Sequence, residues 1–276
     1  MQEVLIVTCD RDRWQFLLQC KSIGKFLEPT KVVVVINEIK PQSWLEWFQE
    51  QCQQFLQKHH ITVLQREYFF DLFDYFYIHT SGGWKTQQIF KMLYAYKTNE
   101  SYLVLDSKNW FVKPIKLSEI TPRQRRCIDQ KSSWREVFDA TIIRLNLPQE
   151  TACRPILTPY KFEPGIVKDL ILSFGSVTNF VSWFMKFKQP GEFIVYDLYA
   201  QSIDAETEPG NDLILSRNFW YGTFDSIHKQ NYSTELDLRQ LERTINDPTV
   251  KIVGIASRLV QDIALRPQIE RLLPLN

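Results

Sequence analysis

The chain has 276 residues, of which 44% are hydrophobic and 24% are charged, a composition typical of a soluble globular protein. A formal net charge of +1 gives no overall field that would select nucleic acid or an anionic membrane. No apolar run approaches the roughly 18 residues of a membrane span, and Met1 leads straight into a predicted strand with no signal peptide. The five cysteines form no Cys-x-x-Cys or Cys/His cluster, which argues against a disulfide framework or a zinc site. We therefore expect a soluble, cytoplasmic protein without a membrane span, whose contact with any membrane is peripheral.

The first part of the chain alternates apolar strand patterns with amphipathic helix patterns. Strands are predicted at residues 4–9, 31–36 and 61–64, with helices at 14–26 and 41–56. This β-α-β-α-β order predicts right-handed crossovers and a parallel sheet. The aromatic-rich residues 65–82 are interpreted as a helix packed over that sheet.

Polar side chains stand at the carboxyl ends of the first two predicted strands, namely Thr8, Asp10, Asp12 and Asn37. In an open parallel sheet these ends share the edge where ligands bind. Carboxylate and amide oxygens accept hydrogen bonds from ribose hydroxyls and base N–H groups. Asp10 and Asp12 are equally well placed to cap the following helix. The chain has no GxGxxG and no Walker loop, so dinucleotide and P-loop functions have little support.

Residues 83–114 combine a polar-faced helix, a buried strand and an acid. One helix face carries an indole, two amides and an ammonium group, at i, i+3, i+4 and i+7: Trp84, Gln87, Gln88 and Lys91. The apolar strand 101–105 follows, and Asp106 stands at its carboxyl end. An acid in this position is also an ordinary turn former. The spacing alone therefore leaves a ligand site and a structural role equally open.

The order of a GWxxQQxxK helix, a YLVLDS strand and an aromatic strand ending in KP resembles a poorly characterised bacterial and viral family of glycosyltransferase-like proteins with the GT-A fold. The matching residues are Gly83, Trp84, Gln87, Gln88, Lys91, Asp106 and Ser107. The resemblance implies an α/β, GT-A-like (Rossmann-like) fold, with a mixed, mainly parallel central sheet flanked by helices. It also implies one domain over residues 1–276, with a nucleotide-binding half at 1–114 and an acceptor-side half at 115–276.

The resemblance further implies a hexosyltransferase-like enzyme. Its donor would be a nucleoside diphosphate sugar, with a UDP-sugar as the first choice, and its acceptor a glycan or other hydroxyl compound in surface polysaccharide or glycan biosynthesis. The implied donor-binding residues are Thr8, Asp10, Asp12, Asn37, Trp84, Gln87, Gln88, Lys91, Ser107 and Lys108. Trp84 or Trp110 would stack on the sugar. The alternative is a catalytically inactive sugar-nucleotide-binding or interaction protein with the same fold.

In such enzymes the strand ends in a DxD-type motif that faces the pyrophosphate, usually through a divalent metal. Here Asp106 is followed at the third position by Lys108 rather than by a second acid. On the resemblance, Mn²⁺ or Mg²⁺ would be held by Asp106 with His228, since hard oxygen ligands suit both ions. Alternatively, Lys91 and Lys108 neutralise the diphosphate directly and no metal is needed.

The second part of the chain supplies the acceptor side. Three prolines within residues 154–164 predict an extended path for this segment. The resemblance implies that Thr158 and Tyr160 contact the acceptor. The alternative is that the segment is only a rigid connector. Glu192 and Tyr196 share one face of a predicted helix at i and i+4. The resemblance assigns Tyr196 to the acceptor, and Glu192 is a candidate general base. An acid in the first turn of a helix is also explained by the helix dipole alone.

The remaining predicted elements follow in chain order. Helices are predicted at 134–145, at 165–187 with an interruption near Gly175, at 191–199, at 233–245 and in the tail, and strands at 109–112, 214–224 and 251–256.

Overall fold

The structure, a computed structural model, describes residues 3–74, 78, 83–120, 125, 132–154, 158–205, 216–219, 238–255 and 263–275. Its strands are β1 (Glu3–Thr8), β2 (Lys31–Ile36), β3 (His60–Gln65), β4 (Tyr102–Asp106), β5 (Asn109–Phe111), β6 (Tyr160–Phe162), β7 (Ser216–Phe219) and β8 (Ile252–Ile255). Its helices are α1 (Arg13–Phe26), α2 (Gln42–Gln51), α3 (Trp84–Leu93), α4 (Arg135–Leu145), α5 (Pro164–Leu172), α6 (Val177–Met185), α7 (Glu192–Ser202), α8 (Leu238–Asn246) and α9 (Arg266–Leu272).

The central sheet has the strand order β3-β2-β1-β4-β6. The pairs β3–β2, β2–β1 and β1–β4 are parallel, and β6 is antiparallel to β4. A second sheet has the order β5-β8-β7, in which β5 is antiparallel and β7 parallel to β8. A turn of two residues, Ser107 and Lys108, separates β4 from β5 and therefore lies where the two sheets meet.

Burial on both faces explains why β1, β2 and β4, the inner strands of the central sheet, are apolar over most of their length. In β1, Leu5 and Val7 belong to the core that also contains the buried residues of α3 and α7. Val4 and Ile6 belong to the opposite core, beneath α1 and α2. A parallel sheet covered on both faces selects continuous apolar runs rather than alternating ones.

The predicted secondary structure is largely confirmed. The Gly175 interruption separates α5 from α6, and Gly175 has a φ of +86°, a conformation that glycine adopts without strain. The helix predicted at 41–56 ends at Gln51 and continues as a 3₁₀ turn. In the segment predicted as a helix at 65–82, residues Arg66–Leu72 form a 3₁₀ helix instead, and most of the remainder lies outside the described residues.

No helix among the described residues is long and apolar enough to cross a membrane.

Helix α1 packs closely on the chain that follows α2, and a glycine permits this approach. A Cβ atom on Gly24 would lie 1.9 Å from the backbone oxygen of Phe55. Backbone cannot move aside as a flexible side chain can, so only a glycine fits here. By contrast, a Cβ atom on Gly165 in α5 would meet nothing within 4 Å.

We predict that Gly24→Ala lowers the free energy of unfolding by about 1–3 kcal/mol or more, because the added methyl overpacks the contact with Phe55. The matched variant Gly165→Ala should change it little, or raise it by up to about 1 kcal/mol, since alanine loses less entropy in a helix than glycine. Urea unfolding of both variants measures the difference. Equal stabilities would contradict the close approach at Gly24.

Candidate functional site

The candidate site lies at the carboxyl end of the parallel strands. Asp106 ends β4 and pairs in register with Val7 of β1. The next residue of β1, Thr8, pairs with Ile36 at the end of β2, and Asn37 follows directly. Chain segments far apart in sequence therefore bring their polar residues to one edge of the sheet, as the sequence predicts.

A buried lysine is at the centre of the site. The ammonium of Lys91, on α3, donates to Asp106 Oδ1 at 2.8 Å, to Glu192 Oε1 at 3.0 Å and to Gln88 Oε1 at 2.8 Å. It also lies 5.2 Å from the ring centroid of Phe193. The side chains of Lys91 and Glu192 are only 3% and 2% exposed. Three oxygen acceptors thus satisfy the three N–H donors of a buried ammonium.

Asp106 is held on its side chain and on its backbone. The ammonium of Lys108 lies 2.8 Å from Asp106 Oδ2, and the Thr158 hydroxyl donates to the same oxygen at 3.1 Å. The Asp106 backbone N–H donates to Asn109 Oδ1 at 2.8 Å, and its carbonyl accepts from the Gln19 amide at 2.7 Å. The carboxylate is 24% exposed, so it is both fixed in place and open to solvent on one side.

These contacts set the charge of each group. Burial raises the pKa of Asp106, but the ammonium groups of Lys108 and Lys91 outweigh burial and hold it well below its usual range. Burial lowers the pKa of Lys91, but Asp106 and Glu192 outweigh it and raise the value to about 12. For Glu192, burial is the larger effect and raises the pKa above its usual 4.5, although Lys91 opposes it. The two carboxyl groups therefore differ in acidity because one is partly solvated with two cations and the other is buried with one.

A cavity of about 540 Å³ opens beside the ends of β1 and β2 and is lined by Cys9, Arg11, Asn37, Glu38, Ile39, Lys40 and Gly83. The Asn37 amide donates to the Gly83 carbonyl at 2.9 Å and to the Thr86 hydroxyl at 2.9 Å, which ties the end of β2 to the start of α3. Three buried polar atoms at this edge, Thr8 Oγ1, Asp12 Oδ1 and Gln87 Nε2, have no hydrogen-bond partner within the described part of the chain.

Asp10 and Asp12 take different positions after β1. Asp12 stands at the N-cap position of α1, but its side chain makes no capping hydrogen bond. It is buried, and its Oδ2 accepts a hydrogen bond from the Cys9 thiol. Asp10 is exposed and pairs with Arg13. Capping of α1 by a side-chain hydrogen bond of Asp12 is therefore wrong, although both acids stand in the first turn of the 3₁₀ segment that leads into α1. Contact of Asp10 and Asp12 with a donor stays a prediction.

The aromatic residues proposed for the site lie mostly in the core. Trp110 is fully buried and donates its indole N–H to the Gln15 carbonyl at 3.0 Å, so the prediction that it stacks on a sugar is wrong. The Trp84 side chain is 39% exposed, and its ring centroid lies 5.5 Å from that of Trp134. Of the two tryptophans predicted to stack on the sugar, Trp84 is therefore the one that a ligand can reach.

The predicted acceptor contacts are also largely enclosed. Tyr160 stacks on Phe193 with centroids 4.3 Å apart. The Tyr196 hydroxyl accepts the backbone N–H of Glu163 at 3.2 Å, and both tyrosines are buried. Thr158 is the member of the set that contacts Asp106. The packing of the two tyrosines shows the structural role of their rings, and the acceptor assignment of all three stays a prediction.

The residues around Asp106 fit a divalent metal poorly. Both of its oxygens already contact ammonium groups at 2.8 Å. Two unit charges 4 Å apart interact by about 4 kcal/mol at an effective dielectric of 20, so the repulsion of a divalent ion by one lysine would be about twice that and would offset its attraction to one carboxylate at the same distance. Across the described ranges, no group of three or more His, Cys, Asp or Glu side chains could hold a metal. His228, the other predicted ligand, lies outside the described residues.

Sequence reasoning missed two features of the site. It did not pair Lys91 with Glu192, because no local pattern joins residues 101 positions apart. It also left Cys9, Arg11, Glu38 and Lys40 out of the ligand edge, although they follow β1 and β2 as directly as the predicted residues do. The positional rule for strand ends would have included them, had it been applied to every polar residue after each strand.

No protein-family model matches the chain, and no curated protein matches it in sequence. Among solved structures, the apo bifunctional glycosyltransferase WbbM matches with a TM-score of 0.52 and 10% identity, over 98% of this chain and 51% of that one. The galactosyltransferase LgtC, in complex with donor and acceptor sugar analogs, has a TM-score of 0.49 and 8% identity over 99% and 96% of the two chains. Apo mouse xyloside xylosyltransferase 1 has a TM-score of 0.44 and 8% identity over 92% and 97%.

This chain spans about half the length of the bifunctional protein. At such low identity the likeness shows the fold alone, and that fold is the one found in glycosyltransferases. The predicted GT-A-like architecture, with a mainly parallel central sheet flanked by helices, is confirmed.

We predict that Lys91→Met lowers the free energy of unfolding by about 3–5 kcal/mol at neutral pH, because it leaves the Glu192 carboxylate buried without its cation. The double variant Lys91→Met/Glu192→Gln should recover part of that loss, with a coupling energy of about 1–3 kcal/mol. Urea unfolding of the unaltered protein, of Lys91→Met, of Glu192→Gln and of the double variant gives the double-mutant cycle. Strictly additive changes in the free energy of unfolding would contradict a direct interaction between Lys91 and Glu192.

The lowered pKa of Asp106 predicts a loss of stability in acid. The folded state keeps this carboxylate ionised below the usual pKa of 3.8, whereas the unfolded chain takes up a proton there. The stabilisation is therefore present above that pH and is lost as pH falls below it. In Asp106→Asn the decline of unfolding free energy below about pH 4 should be shallower, and in the control Asp74→Asn, at an exposed position, it should be unchanged. If the free energy of unfolding declined in parallel for the unaltered protein, Asp106→Asn and Asp74→Asn, the loss of stability in acid would not come from Asp106.

Proposed function

We propose that this protein is a glycosyltransferase that moves a sugar from a nucleoside diphosphate sugar to a hydroxyl acceptor. The observation that carries the proposal is the placement of the Lys91–Asp106–Glu192 cluster at the carboxyl edge of the sheet. Gly83, the N-cap residue of α3, lies in the wall of the cavity, and Lys91 in the last turn of the same helix contacts the two acids. Open α/β sheets bind ligands at this edge, and the glycosyltransferase-like fold supports the same class of reaction.

The cavity beside β1 and β2 is the proposed nucleoside site. Its volume of about 540 Å³ falls within the usual range for small-molecule pockets. Asn37 lies in its wall, and Thr8 Oγ1 and Asp12 Oδ1 are buried nearby in sequence without hydrogen-bond partners among the described residues. Unsatisfied buried polar atoms are costly unless a ligand or water completes them. This supports the base or the ribose as their partner.

The diphosphate would lie over the turn between β4 and β5. Negative charge develops on the leaving diphosphate during transfer, and fixed cations aimed at it lower the barrier. Lys108 is the partly exposed cation of the cluster, with 16% of its side chain open to solvent. Ser107 precedes it in the same turn, and Gln87 and Gln88 on α3 are proposed to contact the sugar, with Trp84 at its rim.

Glu192 is the proposed general base. Burial raises its pKa above the usual 4.5, which makes the carboxylate a stronger proton acceptor. In the reaction the acceptor oxygen forms a bond to the anomeric carbon, and the bond from that carbon to the diphosphate oxygen breaks. The electron pair leaves with the diphosphate, and the acceptor proton passes to Glu192. Lys91 positions this carboxylate relative to Asp106.

The acceptor is proposed to be a glycan or other hydroxyl compound, consistent with surface polysaccharide or glycan biosynthesis. This assignment rests on the resemblance of the central motif and on the fold. Among the proposed acceptor contacts, Thr158 is the one joined directly to Asp106.

One observation favours the alternative of an inactive sugar-nucleotide binder. Both oxygens of Asp106 and one oxygen of Glu192 already contact ammonium groups, so the charges of the cluster balance without a ligand. A site of this kind can serve recognition alone. The alternative differs from the proposal in turnover and not in nucleotide binding.

We predict that Glu192→Gln lowers turnover by about 100-fold or more, in the range found for general bases, and leaves nucleotide affinity within about threefold. A thermal-shift panel of UDP, GDP, ADP and CMP first selects the donor base, since a ligand at about 100 times its dissociation constant adds roughly 2.7 kcal/mol of stability. Release of nucleotide from the matching sugar donors then measures turnover. The control variant is Glu46→Gln, an exposed acid on α2.

Weakened nucleotide binding with normal turnover in Glu192→Gln would rule out the role of a base. Nucleotide binding without turnover in the unaltered protein would favour the inactive binder. Failure of every nucleotide to shift the unfolding temperature would favour an interaction protein.

A further inference from the structure

The turn between β4 and β5 presents a cation at the position where a DxD-type motif has its second acid. Lys108 is two residues after Asp106, and its ammonium lies 2.8 Å from Asp106 Oδ2. Lys91 contacts the other oxygen at the same distance. The carboxylate is therefore bracketed by two ammonium groups, with the Thr158 hydroxyl as a further donor.

This bracketing changes what the carboxylate can bind. A divalent ion takes its place on Asp or Glu oxygens by accepting their lone pairs, and Mg²⁺ in particular requires near-octahedral oxygen ligands. Here the lone pairs of Asp106 point at cations, and Glu192, the acid that shares Lys91 with it, is 2% exposed. A metal ion would have to displace an ammonium group from Asp106 and would then lie close to that same positive charge.

Lys91 and Lys108 differ in how much of each side chain is exposed to solvent. Lys91 is 3% exposed and is surrounded by Gln88, Asp106 and Glu192, so it acts on the acids and not on a ligand. Lys108 is 16% exposed and stands beside Asp106, which is 24% exposed. An incoming diphosphate would therefore meet Lys108 first. Ammonium groups are established phosphate ligands because they act as compact point charges.

We propose that this site takes the diphosphate of its donor without a divalent metal, the Lys108 ammonium supplying the positive charge that a metal supplies at a DxD motif. The inference rests on the proposed function, because it concerns how the same donor is held. In this arrangement Asp106 orients Lys108 rather than ligating a metal, and Lys91 holds Asp106 from the buried side.

The test compares nucleoside diphosphate binding in EDTA and in MnCl₂, using UDP, GDP, ADP and CDP as probes and calorimetry as the readout. For the unaltered protein, we expect affinity for the selected nucleoside diphosphate to agree within about twofold between the two conditions. Lys108→Gln should weaken binding about tenfold or more in both, as expected for the loss of a hydrogen bond to a charged group. Lys116→Gln is the matched control, since Lys116 forms an exposed pair with Glu28, and it should bind normally.

The variant Lys108→Asp gives the sharpest result, because it places a second acid at the DxD spacing. It should bind the nucleoside diphosphate poorly in EDTA and regain affinity in MnCl₂. Electron paramagnetic resonance of Mn²⁺ alone supplies a readout that needs no nucleotide. The free Mn²⁺ signal should persist with the unaltered protein and decrease with Lys108→Asp. Circular dichroism and urea unfolding check that each variant is folded, and Lys108→Asn replaces Lys108→Asp if the paired acids prevent folding.

The outcomes separate the two proposals. If the unaltered protein binds a nucleoside diphosphate only in MnCl₂, the metal-free inference is overturned and the proposed function stands. If it binds equally in both conditions and Lys108→Gln binds as well as the control, Lys108 is not the diphosphate ligand and the inference is overturned. If no nucleoside diphosphate binds in either condition, the proposed function fails, and the inference that rests on it fails with it.

Discussion

The structure of the candidate site depends on the burial of one ammonium group. Lys91 has 3% of its side chain exposed, and removing such a charge from water is unfavourable unless several acceptors surround it. Gln88, Asp106 and Glu192 meet that requirement from α3 itself, from the end of β4 and from the start of α7. Because Glu192 lies 101 residues after Lys91, the same ammonium joins the first and second parts of the chain.

The sheet explains why these groups meet. Each parallel strand ends at the same edge, so the residues after β1, β2 and β4 lie side by side. Apolar side chains fill both faces of the sheet, which leaves this edge as the place where polar groups can gather. The antiparallel strand β6 then brings Thr158 to Asp106, and α7 brings Glu192 to Lys91. Rigid elements therefore hold the charged groups at fixed separations.

The acidic groups illustrate how environment divides the roles of similar residues. Asp106 is partly solvated and contacts two ammonium groups, which lower its pKa, whereas burial dominates at Glu192 and raises its pKa. The two carboxyl groups therefore differ in acidity although both contact Lys91. In a second and separate ion cluster, the fully buried Asp197 of α7 pairs with Arg125 and Arg154.

The sequence by itself determined the class of fold and the edge on which the site lies. Continuous apolar runs such as 32–36, followed by polar residues, indicate a sheet buried on both faces whose strand ends share one edge. Helix periodicity placed Gln88 and Lys91 on one face, because that relation is local. Only the tertiary structure decided that Glu192 contacts Lys91, that Trp110 is enclosed and that Lys108 turns its ammonium onto Asp106. These facts follow from packing between distant segments and from the direction of single side chains, which no local pattern of residues encodes.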